Sequence, residues 1–129
     1  MKKLFFTFLA GSLSMWLIAG FYHEFLMAAF YGEEVHASHD GTGIILLGYF
    51  ILGAIMTYLF PFIYKGEKPA YQGLKFGVVI GLLWVFPHEL VMVGAHGESI
   101  SYVLKNAAWH MVEQGVGGIV IASVYDRLS

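Results

Sequence analysis

Two copies of one polar motif interrupt the apolar stretches of this chain, and they contain the side chains best suited to chemistry. Segments 21–33 and 86–98 lie 65 residues apart and are identical at six of thirteen aligned positions. The shared residues include a histidine followed by a glutamate, His23–Glu24 in the first copy and His88–Glu89 in the second. Imidazole and carboxyl groups bind protons and metal ions, so the motif predicts a site of one of these kinds.

A third His/Glu pair lies near the end of the chain. His110 and Glu113 are three residues apart and share one face of a helix. His23 and His88 each precede a glycine by nine residues, which places them roughly 13 Å below the outer ends of their helices. A fourth helix that begins near Asn106 brings the third pair to a similar depth. The sequence therefore predicts one His/Glu layer near the outer face of a helical bundle.

One reading of this layer is a metal or haem site. A mixed set of imidazoles and carboxylates suits iron, manganese or zinc, and haem iron takes axial histidines. The candidate haem ligands are His23 and His88. Bundles that hold two metal ions carry Glu-x-x-His motifs, whereas His110 and Glu113 occur in the reverse order. The equivalent positions of the first repeat are Ile45 and Gly48, so the motif occurs only once, which argues against a pair of metal ions. The full set of candidate metal ligands is His23, Glu24, His88, Glu89, His110 and Glu113.

Two other readings remain open. Protonatable groups that face a cavity can pass protons, a metal cation or a small solute through a membrane. The same groups can instead form a polar network that only fixes the register of the helices, as in an accessory membrane subunit. No phosphate loop or nucleophile elbow is present, so the sequence assigns no catalytic residue and favours a binding or transport protein over an enzyme.

The elements that position these residues are membrane-spanning helices. Hydrophobic residues make up 58% of the 129 residues and charged residues 12%, and the mean hydropathy is +0.69. A spanning helix needs roughly 20 mostly apolar residues. Four segments meet that length, which predicts an all-α integral membrane protein with a bundle of four transmembrane helices: Leu4–Tyr31, Thr42–Tyr64, Phe76–Ala95 and Asn106–Tyr125.

The distribution of cations predicts the orientation of the chain. Lysine and arginine accumulate on the cytoplasmic side of membrane proteins. Six of the seven cations fall on one side of the predicted spans, and Lys105 alone falls on the other. We therefore expect a multi-pass protein of a bacterial inner (plasma) membrane with both termini in the cytoplasm. The net charge of −2 argues against a nucleic-acid partner, so the expected partner is the lipid bilayer.

The repeat also predicts how the helices are arranged. Residues 1–129 form one transmembrane domain, with a first hairpin over about 4–64 and a second over about 69–129. Equivalent helices of the tandem hairpins run in the same direction, so a pseudo-two-fold axis along the membrane normal is expected to relate them. Rows of small residues, Gly73, Gly77 and Gly81 and then Gly115 to Ala122, favour close helix packing within the chain or across a homodimer.

A resemblance supports the same architecture. The first helix ends in residues that include Trp16, Tyr22 and Tyr31, a short outer loop follows, and a Gly73-Leu74-Lys75 turn with Gly77 leads into the third span. In these features the chain resembles small four-helix bacterial inner-membrane proteins of unknown function. The resemblance covers most of the chain and implies the fold and the membrane location. It transfers no catalytic or ligand-binding residues.

Overall fold

The computed structural model describes residues 1–22 and 42–129, and all the secondary structure in these ranges is helical. Helix α1 spans Lys2–Phe21, α2 spans Thr42–Ile63, α3 spans Pro69–His96 and α4 spans Ile100–Arg127. Across the residues described, the prediction of an all-α chain with four helices is confirmed. Three of the helices, α1 to α3, are long and apolar enough to cross a membrane.

Helix α4 differs from the prediction in its start and in its composition. The Ser99 hydroxyl accepts a hydrogen bond from the Tyr102 amide at 3.3 Å and caps the helix, which therefore begins at Ile100, six positions before the expected start at Asn106. The early start places His110 ten residues into the helix. The helix is not among the three that are apolar enough to cross a membrane, and it packs against all three other helices, with Glu113 and Gln114 buried.

Close backbone contact joins α3 to α4. A Cβ atom added to Gly73 would lie 2.8 Å from the carbonyl carbon of Gly118, and one added to Gly81 would lie 2.7 Å from that of His110. Only glycine allows two helix backbones to approach this closely. The contacts run in opposite directions along the two helices, so α3 and α4 form an antiparallel hairpin. The glycine rows expected to mediate helix packing therefore pack against each other within the chain.

The remaining helices pack around α4 on its other sides. Met15 of α1 is fully buried against Gly117 of α4, and Gly53 of α2 lies against Ser12 of α1. Helix α2 runs parallel to α4, because Tyr49 contacts Glu113 near one end and Phe60 contacts Tyr125 near the other. The predicted repeat equivalents α2 and α4 thus run in the same direction. The pseudo-two-fold axis itself stays a prediction.

Both chain termini lie at one end of the bundle, which we call the terminal end; the opposite end, at Gly97–Ser99, is the loop end. The Lys3 ammonium contacts the Ser129 hydroxyl and lies 3.5 Å above the Tyr125 ring. Large apolar side chains such as Leu17, Phe62 and Leu83 are more than 60% exposed on the outer faces. Such surfaces suit contact with lipid rather than water.

Candidate functional site

The centre of the candidate site is Glu113, a carboxyl group that is only 1% exposed. Its Oε2 accepts a hydrogen bond from the Trp109 indole nitrogen at 2.9 Å, and its Oε1 accepts one from the Gln114 side-chain amide at 2.7 Å. The Tyr49 side chain of α2 lies next to this carboxyl group. A buried carboxyl group is stable only when it is hydrogen-bonded, and here two donors from α4 meet that need.

The same network fixes the tautomer of His110. The amide nitrogen of Gln114 already donates to Glu113, so the Gln114 Oε1 is the atom that faces His110 Nδ1, at 3.2 Å. An oxygen can only accept, which means that Nδ1 carries the proton and Nε2 of the neutral ring is the basic nitrogen. The Glu113 Oε1 lies 3.5 Å from the same Nδ1. The imidazole is therefore oriented by its Nδ1 side.

Aromatic rings enclose this network. The Trp109 ring is stacked on Tyr22, the residue that follows α1, with 4.0 Å between ring centroids and 10° between planes. The His110 ring lies parallel to Trp84 of α3, with centroids 6.4 Å apart. The His110 side chain keeps 17% exposure, whereas that of Glu113 has 1%. The imidazole is thus the more exposed member of the pair.

The structure separates His88 from this network. His110 lies beside Gly81, and His88 is seven residues farther along α3, about 10 Å nearer the loop end. The His88 side chain is exposed, and Glu89 is half-buried near Tyr102 and Glu98. The register of α3 on α4, which sets Gly81 beside His110, accounts for this separation.

The network lies near the middle of α4, with Glu113 thirteen residues after Ile100 and fourteen before Arg127. His23 and Glu24 lie outside the described residues. Within residues 1–22 and 42–129, no three His, Asp or Glu side chains are grouped so that they could hold a metal ion. The six-residue ligand set, and the haem pair of His23 and His88, stay predictions.

Sequence reasoning missed two members of the network, Gln114 and Tyr49. Both contact Glu113, one from the neighbouring position on α4 and one from α2. A signal was present, because the two residues are 65 positions apart and therefore occupy equivalent places in the repeat. On the side of α1, the network is bordered by Met15, whose sulfur accepts a hydrogen bond from the Gln114 side-chain amide at 3.9 Å.

Comparison of the chain with protein-family models, curated proteins and solved structures found no match.

Proposed function

We propose that this chain is an integral inner-membrane protein in which His110 binds and releases a proton as part of a transport step. The observation that carries the proposal is the orientation of the imidazole. Its Nδ1 is held by Gln114 and Glu113, so Nε2 is the basic nitrogen that can take up a second proton. The nearby Glu113 carboxyl group, when ionised, stabilises the imidazolium that results.

The small number of ionisable groups around His110 and Glu113, among the described residues, supports a proton as the ligand. A proton needs one base, whereas a metal ion needs several ligands, and the described ranges bring no third His, Asp or Glu to the site. Ionisable groups inside a membrane are costly and usually serve transport or binding. A network that only joined helices could be made at lower cost from amides and hydroxyls.

A metal ion or haem iron is the second candidate ligand. Histidines that bind metals commonly donate the N–H of the other ring nitrogen to a carboxylate or carbonyl oxygen, and His110 has this arrangement through Nδ1. If a metal ion or haem iron binds here, Nε2 of His110 would be the ligand atom. The further ligands would come from His23, Glu24, His88 or Glu89, and Glu113 would orient His110.

The membrane orientation belongs to the same proposal. The terminal end carries Lys2, Lys3, Lys65 and Lys68, and this excess of cations supports a cytoplasmic location for it. The glycine rows of α3 and α4 are occupied within the chain, which means that a homodimer would need another surface. The bilayer is the partner that the exposed apolar faces support.

The first experiment follows the protonation of His110 directly. The full chain, with 15N-labelled histidine, is placed in lipid nanodiscs, and the ring nitrogens are followed by NMR from pH 8 to pH 5, where histidines usually exchange protons. His110→Gln identifies the signal. We expect a neutral ring protonated at Nδ1 at the higher pH, followed by protonation at Nε2 as the pH falls.

A second measurement links protonation to transport and separates the two candidates. In liposomes that contain a pH-sensitive dye and have an imposed potassium diffusion potential, His110→Gln should reduce proton entry. His96→Gln, an exposed histidine at the end of α3, is the matched control and should not. A ring that stays neutral throughout and a proton flux equal in all variants would overturn the proton proposal. Near-stoichiometric metal or a haem spectrum that disappears in His110→Gln would establish the second candidate.

A further inference from the structure

A basic groove lies at the terminal end of the bundle, between the end of α2 and the start of α3. Its volume is about 480 Å³, which falls in the range of ligand-binding clefts. Cations form its rim and apolar side chains form its floor. The residues that define the basic groove are Lys65, Lys68 and Lys75 on the rim and Ile63, Phe76 and Val79 on the floor.

The groove changes in polarity along its length. Lys68 lies immediately before α3, Lys75 is about 10 Å farther along the helix, and Val79 is about 16 Å farther. Val79 is 61% exposed and Ile63 is 46% exposed, so the apolar floor is open to its surroundings. Charge at the membrane surface and apolar contact below it match the two parts of a phospholipid.

The connection that forms the rim is held in a fixed shape. The Gln72 side chain accepts a hydrogen bond from the Lys65 amide at 2.9 Å and donates one to the Glu67 carbonyl oxygen at 2.6 Å. Lys68 adopts a left-handed conformation, with φ of 47°, and Pro69 then starts the helix. The backbone that carries two of the three cations is therefore ordered before any ligand binds, which reduces the entropic cost of binding.

We propose that the basic groove binds an anionic phospholipid, with the phosphate between the lysines and one acyl chain along Phe76 and Val79. Basic pockets between helices on the cytoplasmic side of membrane proteins bind anionic headgroups. The rim also contains the Glu67 carboxyl group, and the three lysines leave an excess of two positive charges over it. Lys75 lies 5.3 Å from the Tyr71 ring centre, and its long side chain can extend toward the headgroup region.

The test is a native mass spectrometry titration of the full chain in mild detergent. Phosphatidylglycerol is compared with phosphatidylcholine of the same acyl chains and with inorganic phosphate. We expect phosphatidylglycerol to bind best. Each lysine near an anionic surface contributes a factor of about five, so Lys65→Gln/Lys68→Gln/Lys75→Gln should weaken binding roughly 100-fold. Val79→Trp keeps the charges, fills the floor and should also weaken binding.

The control is Lys2→Gln, which removes an exposed lysine at the same end but outside the basic groove, and it should retain the affinity. Equal binding of both lipids, an unaffected Val79→Trp variant, or a loss of affinity of about fivefold or more in Lys2→Gln would overturn the proposal. Full competition by inorganic phosphate would show a free-phosphate site instead and would also overturn it. None of these outcomes depends on His110, so this proposal and the proton proposal can fail separately.

Discussion

Replacement of Gly77 by alanine tests whether backbone contact between α3 and α4 sets the geometry of the site. The added Cβ would lie 2.6 Å from the carbonyl carbon of Gln114 and 2.8 Å from the Cα of Gly115. Carbon atoms in favourable contact are about 3.5–4.0 Å apart, so the two helices would have to separate locally by about 1 Å. A backbone atom cannot move aside by changing a rotamer.

The expected cost of Gly77→Ala is at the upper end of the range for overpacked positions, about 3 kcal/mol. A gap of 0.5–1 Å already removes a quarter to a half of the dispersion energy of each contact beside it. The separation also moves Gln114, which orients His110. We therefore expect lower stability and a loss of the fixed Nδ1–H tautomer in the same variant.

The assay is equilibrium unfolding of the purified chain in mixed micelles, with helix content measured by circular dichroism. Gly94→Ala is the matched control, because it lies on the same helix and its added Cβ would meet no atom within 4 Å. That change should stabilise the helix by about 0.5–1 kcal/mol, since alanine restricts the unfolded chain. Equal effects of the two variants, or a Gly77→Ala variant as stable as wild type, would refute the inferred backbone contact.

Two further predictions concern the polar groups. Trp109→Phe keeps an aromatic ring beside Tyr22 but removes the hydrogen-bond donor to Glu113. The free energy of unfolding should therefore fall by about 1.5–3 kcal/mol in the same assay. Trp84→Phe removes an indole nitrogen from a half-exposed position and should lower it less. The hydrogen bond from Tyr64 to Asp126 raises the pKa of that phenol from 10.0 to about 12. Because the folded-state pKa is the higher one, the contribution of this bond to stability is fully present below about pH 10 and is lost as the pH rises through about 12. Ultraviolet titration of phenolate should show Asp126→Asn bringing the Tyr64 pKa back toward 10, and an unchanged titration in that variant would contradict the assignment.

Composition and residue spacing were enough to predict the helices and the kind of contact between them. Long apolar segments can satisfy their backbone groups only as helices in a membrane, so composition alone predicted an all-α chain. The spacing of Gly73, Gly77 and Gly81 predicted a surface for close packing, because four-residue intervals fall on one helix face. The three-residue spacing of His110 and Glu113 likewise placed both on one face, and the structure shows them together.

The tertiary structure decided which helix each surface meets and at what register. The glycine rows could have joined two copies of the chain, but they join α3 to α4. That contact places Gly81 beside His110 and leaves His88 about 10 Å away, a separation that spacing along the sequence does not contain. The burial of Glu113 likewise depends on Tyr49 from α2, which is distant in the chain. Local sequence specifies the face of a helix, whereas depth and partners depend on contacts between distant segments.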